Sequence, residues 1–327
     1  MNTVKFRKAV GISLCALICF SSASTLSGCD EESSSSVKIA ETTVPAPAVS
    51  TADEATAVGA LESLGIDTEA LGIKPDILYD TENKVGFQLE LPDEGDTIGI
   101  IHTSMGDITI RFFPNHAPKA VTNFINLAKD SNYNNSTFHR IIDGFMIQGG
   151  YCGNDPDSIN GTSSYGNEFE DEFCDKLFNI RGAVAMANSG TDTNGSQFFI
   201  NQTDAKTFNE VMGGFESLEN MWQNIKTQLL NYKDSNLLSA FIQQNGSNCY
   251  NTDIVGNDVR ALYETNGGSP YLDGAYNAVD RGHTVFGQVI DGMDVVDKIA
   301  GVKTDEENKP LENVIIESIE ITSYSAQ

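Results

Sequence analysis

Positive charge is scarce in this chain. Its 327 residues include 20 lysines and arginines against 46 aspartates and glutamates, which gives a formal net charge of −26. The sequence pI is near 4.3. A chain this acidic repels phosphate backbones and anionic lipid surfaces, so we expect no nucleic-acid partner and no electrostatic binding to anionic membrane. The balance is typical of a soluble protein that is secreted or held at a cell surface.

Cysteine is also scarce and forms no recognisable framework. Among the six cysteines no CxxC pair occurs, so the sequence indicates neither a disulfide scaffold nor a zinc site. Cys15 and Cys19 lie in an N-terminal apolar segment. Cys152, Cys174 and Cys249 remain in the body of the chain, where one disulfide and free thiols are both compatible with the sequence.

Long apolar runs are missing, and the one apolar stretch near the N-terminus is short. Lys5, Arg7 and Lys8 precede this stretch, residues 9–20, which is too short for a membrane-spanning helix. Small residues follow and lead to the sequence LSGC, which ends at Cys29. A basic region, an apolar core and a terminal cysteine in this order resemble a bacterial lipoprotein signal.

The LSGC sequence predicts cleavage of residues 1–28 and lipid attachment to the thiol of Cys29. We therefore expect a lipid anchor at the extracytoplasmic face of the cell membrane, with the bilayer as a partner through this acyl group. An ordinary secretory signal, cleaved near Ala23, is the alternative. Removing residues 1–28 deletes three positive charges and no acidic ones, which leaves a net charge near −29.

Residues 29–96 are predicted to form a tether and an N-terminal extension. Up to about Gly59 they are rich in Ser, Thr, Ala, Pro and acidic residues, which is typical of disordered chain. The rest is ambiguous: ALESLGIDTEALGI is compatible with a short helix, and VGFQLELP with a strand.

Short β-rich runs predominate from residue 97 onward. TIGIIHTS and ITIRFF flank a hairpin signal at MGD, and further strand-like runs follow up to the closing NVIIESIEIT. Apolar residues at helical spacing predict helices near 118–130 and 292–300. Many short strands with glycine-rich turns and two helices favour a mainly β fold, an antiparallel barrel capped by helices.

A block at residues 208–275 interrupts this rhythm and is predicted to be a helical insertion. Alternating spacings of three and four indicate one long amphipathic helix through Phe215, Leu218, Trp222, Ile225, Leu229 and Tyr232. A second helix is expected from Leu238 to near Gly246, before a return rich in Gly and Asn. The insertion lies within a predicted domain of residues 97–322.

The run TFHRIIDGFMIQGG, residues 137–150, places one cation in an aromatic and apolar segment. Arg140 has two interpretations: a solvated charge on a half-buried strand, or a fixed donor at the edge of an apolar pocket. Together with FEDEF, RGAVAMANSGTDTNGSQFFI and GHTVFGQVIDGMDVVDKI, this run resembles consecutive cyclophilin motifs in cyclophilin order. The resemblance covers residues 97–322 apart from the inserted block.

The resemblance implies a peptidyl-prolyl cis/trans isomerase with a closed eight-stranded antiparallel barrel and two capping helices. The expected partners are Xaa-Pro segments of unfolded or folding proteins, and the expected state is a monomer. The barrier to Xaa-Pro isomerisation, roughly 18–20 kcal/mol, comes from amide resonance. A donor aimed at the nitrogen of the twisted amide binds the transition state better than either planar form, so no nucleophile, metal or cofactor is expected.

The resemblance also assigns the site residue by residue. Arg140 is implied as the catalytic donor, which suits its permanent charge and planar head. Gln148 is implied to hold Arg140 and the substrate carbonyl. The implied substrate-binding residues are Phe145, Met146, Ala187, Asn188, Gln197, Phe199 and His283. Among these His283 is assigned to binding rather than proton transfer, with a hydrogen-bonded structural histidine as the alternative.

One position departs from the cyclophilin pattern. Many cyclophilins carry a Trp or His beside a Leu shortly before the H-x-V-F-G segment. Counting back here reaches Ala278 and Val279, while Tyr276 and Leu272 are alternatives across the insertion. The alternative function is a non-catalytic module or holdase that grips proline segments even without Arg140. A structural surface lipoprotein is a third interpretation.

Overall fold

The structure of the chain is a computed structural model, and it describes residues 56–57, 59–73, 76–152 and 160–326. The predicted signal peptide of residues 1–28, the lipid site Cys29 and most of the predicted tether lie outside the described residues. All of the described residues belong to one compact unit. Within them, no helix combines the length and apolarity needed to cross a membrane.

Strands and helices alternate unevenly along the described chain. The strands are β1 (Ile77–Leu78), β2 (Thr97–Thr103), β3 (Gly106–Phe112), β4 (Ser136–Phe138), β5 (Arg140–Ile142), β6 (Met146–Gly149), β7 (Phe173–Cys174), β8 (Ala183–Met186), β9 (Phe198–Asn201), β10 (Val285–Asp291) and β11 (Val314–Ser323). The α-helices are α1 (Gly59–Ser63), α2 (Pro118–Lys129), α3 (Gly214–Tyr232), α4 (Leu238–Asn245), α5 (Asn257–Asn266) and α6 (Met293–Ala300).

Nine of these strands form one antiparallel sheet in the order β4-β11-β2-β3-β10-β8-β9-β6-β5. The two outermost strands, β4 and β5, are separated along the chain by His139 alone. They are therefore two halves of one interrupted strand, and their continuity brings the ends of the sheet together. The result is the nearly closed, eight-stranded antiparallel barrel that the sequence predicts, and the predicted mainly β fold is confirmed.

Both predicted capping helices are present, and each contributes buried residues to the barrel core. Phe124 on α2 and Val296 on α6 are fully buried in the cluster that fills the barrel. Helix α2 begins at Pro118, whose ring is favourable in a first turn. The carboxylate of Glu172, from the FEDEF motif, accepts the free backbone N–H groups of Lys119 and Ala120 at 3.0 and 2.9 Å.

The inserted block is helical, and it shares a hydrophobic core with the N-terminal extension. Helices α3 and α4 have the predicted bounds to within a residue or two, whereas α5 was not predicted. Leu61 from α1 is fully buried in one cluster with Ile66, Trp222 and Leu229. Part of the predicted extension is therefore packed against the insertion.

The strand interpretation of VGFQLELP is wrong, because Phe87–Leu89 form a single 3-10 turn. Gly86 precedes this turn with φ +91°, a left-handed conformation that an extended strand does not use. Gln88 is fully buried, and its amide both donates to the Phe178 carbonyl and accepts from the Phe178 N–H. Side-chain bonding to a distant backbone segment thus replaces the expected strand pairing.

The three described cysteines are free and buried, so the free-thiol alternative applies to them. Burial raises the pKa of Cys152 to about 11 and those of Cys174 and Cys249 to about 12. Since the thiolate is the reactive form, these thiols are poor nucleophiles at neutral pH.

Candidate active site

A single row of paired residues crosses five neighbouring strands and forms the floor of the candidate site. Arg140 on β5 is paired with Gln148 on β6, which is paired in turn with Phe199 on β9. Phe199 is paired with Ala185 on β8, and Ala185 with Val285 on β10. Directly paired residues of an antiparallel sheet project to the same face. The strand register therefore brings Arg140, Gln148 and Phe199 onto one surface.

This row lies on the outer face of the barrel. The alternate residues Ile141, Ile147, Ile200 and Val184 are all buried in the core that fills the barrel. Phe199 belongs instead to a separate apolar cluster that also contains Met146, Phe113 and Leu272. Strands β8 and β9 are buried at every position because they are covered on both faces, which explains their continuous apolar sequences.

Arg140 is a half-buried cation that is oriented but not neutralised. Its Nη1 donates to Oε1 of Gln148 at 3.3 Å. Within the described part of the chain, Arg140 forms no ion pair with a carboxylate. Burial lowers its pKa from the usual value, although a guanidinium stays protonated at physiological pH. Arg140 is thus a partly buried cation with an amide partner, and its role as a donor to substrate stays a prediction.

Two amide side chains connect Arg140 to the neighbouring loop. Nε2 of Gln148 donates to Oε1 of Gln197 at 2.9 Å. Gln197 is only 5% exposed, and its backbone carbonyl accepts the N–H of Ala187 at 2.9 Å. Because Gln148 bonds on both sides, its amide orientation is fixed, and with it the position of the Arg140 guanidinium.

Aromatic and apolar side chains of one cluster form the wall of the candidate pocket beside Arg140. Met146 and Phe199 are 2% and 4% exposed, whereas Phe145 is half-buried and available at the surface. The ring of Tyr271 stacks on Phe145 with centroids 6.3 Å apart and an interplanar angle of 29°. Tyr271 therefore completes one side of the pocket, and Arg140 lies close enough for its charge to affect the Tyr271 phenol.

His283 contacts the pocket through its ring. It packs edge-to-face on Phe199, with centroids 5.2 Å apart and an interplanar angle of 89°. Its Nδ1 lies 2.9 Å from the carbonyl oxygen of Met186; we assign the ring hydrogen to Nδ1, because a carbonyl can only accept. Burial lowers the pKa of His283 to about 4. The ring is therefore neutral near pH 7 and suits a binding contact.

Asn188 ties two loops together at the far end of the site. Its Nδ2 donates to the Gly282 carbonyl at 2.8 Å and to Oδ1 of Asp171 at 3.2 Å. The Asp171 carboxylate also accepts the Asp192 N–H at 2.9 Å, and burial raises its pKa to about 6. Ala187, just before Asn188, is 8% exposed and presents only a methyl group.

The sequence left the position before the H-x-V-F-G segment open, and Ala278 and Val279, reached by counting back, lie outside the candidate site. Both residues are buried in the cluster that joins the insertion to the N-terminal extension. Tyr276 packs against Phe178 in another cluster. Leu272, the other sequence candidate, does lie in the pocket cluster.

Sequence reasoning missed Tyr271, although a signal for it was present. An aromatic residue directly before Leu272 fits the pattern of an aromatic beside a Leu. Counting back from His283 failed because residues 274–276 form an additional 3-10 turn between the two segments. The loop length, rather than the residue types, misled the alignment.

The chain was compared with protein families and with known proteins. A family model described as cyclophilin type peptidyl-prolyl cis-trans isomerase/CLD matches residues 98–238 and 265–321, more than half of the chain. A Staphylococcus aureus protein named as a peptidyl-prolyl cis-trans isomerase is 39% identical over 230 residues, covering 70% of this chain and 93% of that protein. A Streptococcus pyogenes protein named as a bifunctional phosphatase/peptidyl-prolyl cis-trans isomerase is 40% identical over 266 residues, 80% of this chain.

The match to the streptococcal protein spans only 44% of its length. Among solved structures, a Cryptosporidium parvum cyclophilin type peptidyl-prolyl cis-trans isomerase, crystallised in the presence of the dipeptide Ala-Pro, is 24% identical with a TM-score of 0.43. That similarity covers 70% of this chain and 99% of the other. The family model and the identity to the staphylococcal protein show that this chain belongs to the cyclophilin type peptidyl-prolyl cis-trans isomerase family.

Proposed function

We propose that the chain accelerates cis/trans isomerisation of Xaa-Pro bonds, with Arg140 as the hydrogen-bond donor to the twisted prolyl nitrogen. The observation that carries this proposal is the geometry of Arg140. It is a half-buried, unneutralised cation, fixed by Gln148 at the rim of an apolar pocket. A surface charge on a strand would need neither the amide anchor nor the adjoining pocket wall.

The selectivity of this donor for the transition state follows from amide electronics. In the planar cis and trans forms the nitrogen lone pair is delocalised and accepts hydrogen bonds poorly. Rotation about the C–N bond localises that lone pair, so a donor in place gains a bond only at the twisted geometry. An interaction made only in the transition state raises kcat. Removing one preorganised donor from an active site typically costs about 10²–10³ in rate.

The remaining residues hold the substrate on either side of the rotating bond. Phe145, Met146 and Phe199 grip the proline ring, with the edge of His283 against Phe199. Gln148 and Gln197 hold the substrate carbonyl as well as Arg140. The backbone of Asn188 binds the peptide in extended form beside Ala187. Rotation of the carbonyl side then proceeds while the ring stays in place.

The experiment that tests this role compares arginines in matched environments. Arg111 on β3 is, like Arg140, half-buried with a pKa lowered by burial, but its guanidinium lies over Phe113. In an isomerisation assay on an Ala-Pro peptide, Arg140→Ala should reduce kcat/KM by about 10²–10³. Arg140→Lys should lose most of this activity too, because an ammonium cannot keep the fork geometry. Arg111→Ala should stay close to the parent chain.

An Arg140→Ala chain that isomerises the peptide normally would reject Arg140 as the donor. An Arg140→Ala chain that still binds proline peptides or suppresses client aggregation would show that binding is separable from catalysis. A parent chain that binds peptides but never isomerises them would favour the module or holdase alternative.

We further propose that the enzyme acts on folding proteins outside the cytoplasm as a lipid-anchored monomer. The support is the order of a basic region, an apolar stretch and LSGC at residues 1–29. Metabolic labelling with palmitate should mark the native chain and leave Cys29→Ala unlabelled. An unlabelled native chain, cleaved near Ala23, would instead indicate an ordinary secretory signal.

A further inference from the structure

The helical insertion leads directly into the pocket wall. The chain leaves the barrel after β9, and the last helix of the predicted insertion, residues 208–275, ends at Asn266. The next residue, Gly267, lies so close to the loop after β9 that a Cβ there would overlap the backbone of Asp204. From Gly267 the chain passes through a 3-10 turn, Pro270–Leu272, which carries the wall residue Tyr271. A contact between the inserted helices and this turn therefore also restrains Tyr271.

One buried carboxylate fixes the end of this turn. Asp273 is 2% exposed, and its Oδ2 accepts the hydroxyl of Tyr263 at 2.6 Å. Its Oδ1 accepts the backbone N–H and the Nδ2 of Asn179, at 2.8 and 3.1 Å. Tyr263 belongs to helix α5 of the insertion, whereas Asn179 belongs to the loop before β8 of the barrel. Asp273 therefore bonds simultaneously to the insertion and to the barrel.

The same network reaches the floor of the pocket. Asn179 Oδ1 accepts Nδ2 of Asn201 at 3.1 Å, and Asn201 ends the strand that carries Phe199. On the other side, the carbonyl of Leu272 accepts the N–H of His283 at 2.9 Å. The turn is thus connected both to the strand that carries Phe199 and to His283.

The hydroxyl of Tyr263 has no packing role that a phenylalanine could not fill. Its ring lies in an aromatic cluster with centroids 6.0 and 6.2 Å from those of Phe208 and Phe215 in the insertion. Tyr250 is fully buried in the same cluster, and its hydroxyl has no hydrogen-bond partner among the described residues. Both tyrosines are fully buried, and of the two, Tyr263 is the one whose hydroxyl donates to Asp273.

We propose that Tyr263 and Asp273 are positioning residues through which the helical insertion holds the Tyr271–Leu272 wall and so sets affinity for proline peptides. This inference rests on the proposed function. Removing the Tyr263 hydroxyl leaves Asp273 with its two Asn179 bonds but detaches it from α5. The Tyr271–Leu272 segment then becomes more mobile. A peptide that binds must restrict this motion, and its affinity falls. The donor Arg140 lies on β5, outside this network, so the effect falls on KM rather than on kcat.

The protonation state of Asp273 provides a second way to detect this network, through the pH dependence of KM. Burial raises its pKa to about 7, and the Tyr263 hydroxyl favours the ionised form. Two phenols also face Asp273, those of Tyr250 and Tyr276, and the Asp273 carboxylate raises the pKa of each. Glu172, Cys174 and His283 are the other titratable groups, and with Asp273 they line a cavity of about 10 Å³. The carboxylate accepts three bonds, and protonation withdraws one oxygen from this role. KM should therefore fall as pH rises through about 7.

The experiment compares Tyr263→Phe with Tyr250→Phe in the full-length chain. Steady-state constants for an Ala-Pro peptide are measured by a protease-free assay across pH 6–8, and circular dichroism confirms that each variant is folded. Tyr263→Phe should raise KM about three- to tenfold, the change expected from losing one hydrogen bond, with kcat altered less than about twofold. Its KM inflection should move to higher pH, because the hydroxyl no longer stabilises the carboxylate. Tyr250→Phe should match the parent chain on both counts.

Equal KM values and equal pH profiles for the two variants would overturn the inference. Should Tyr263→Phe fail to fold, Asp273→Asn provides a second test: KM is raised and its inflection near pH 7 is lost, whereas any dependence near pH 6 that comes from Asp171 remains. An unchanged pH dependence in that variant would also overturn it. A parent chain without isomerase activity would instead refute the proposed function on which the inference rests.

Discussion

Gln148→Glu is the substitution that most sharply separates a positioned, unneutralised arginine from an ordinary strand charge. The change keeps side-chain shape and replaces the amide with a carboxylate. Oε1 of Gln148 lies 3.3 Å from Nη1 of Arg140, so the new carboxylate would form an ion pair with the proposed donor. A guanidinium engaged by an anion is a weaker donor to a neutral prolyl nitrogen.

The size of the effect follows from the distance and the exposure of the pair. Unit charges about 4 Å apart attract by roughly 4 kcal/mol at an effective dielectric constant of 20. The half-exposed location reduces this toward the value below about 1 kcal/mol that is typical of surface pairs. A working range of about 1–3 kcal/mol corresponds to a loss of about 5- to 160-fold in kcat/KM. The carboxylate also cannot donate to Gln197, which adds to the loss.

A neutral variant separates the effect of the added negative charge from the effect of the lost hydrogen bonds. Gln148→Met removes both hydrogen bonds without adding an anion, and it should retain more activity than Gln148→Glu. The assay is steady-state isomerisation of an Ala-Pro peptide at pH 7.5 by the folded variants. Activity of Gln148→Glu equal to or above that of Gln148→Met would refute the claim that Arg140 must stay unneutralised.

Two further predictions concern the site histidine and the extension. The His283 ring should titrate near pH 4 in an NMR experiment, so kcat should show no His283 inflection between pH 5 and 8; an inflection near 6.5 that disappears with His283→Asn would contradict the assigned binding role. Leu61→Ala should lower the free energy of unfolding by about 2–5 kcal/mol in urea, because this side chain is fully buried against Trp222. The exposed neighbour Ser63→Ala should change it by less than about 0.5 kcal/mol, and equal effects of the two would argue against a shared core.

The elements recovered from the sequence are those whose local periodicity matches their burial. Helix α3 was predictable because Leu218, Trp222 and Leu229 repeat at helical spacing and are all buried. Helix α5 has only Val259 and Tyr263 buried, and it begins with polar residues, so its pattern was too weak. The barrel strands were recovered because alternation and turn residues are local features of the chain.

The residues of the candidate site fall into the same two groups, those with a local sequence signal and those without one. Arg140, Gln148 and Phe199 could be named because they stand in long motifs, and the strand register brings them together on one face. Tyr271 was missed because its distance along the chain from His283 depends on an additional turn. The bond between Tyr263 and Asp273 joins a helix to a loop, and no periodicity encodes such a tertiary contact.

The measurement that tests the central claim most directly is NMR exchange spectroscopy on an Ala-Pro peptide with a catalytic amount of the full-length chain. Uncatalysed exchange takes tens to hundreds of seconds at 25 °C. The account predicts exchange cross-peaks on a sub-second timescale, growing with the concentration of the chain and disappearing with Arg140→Ala. Peptide signals that broaden on binding while cis and trans forms exchange only at the spontaneous rate would contradict it.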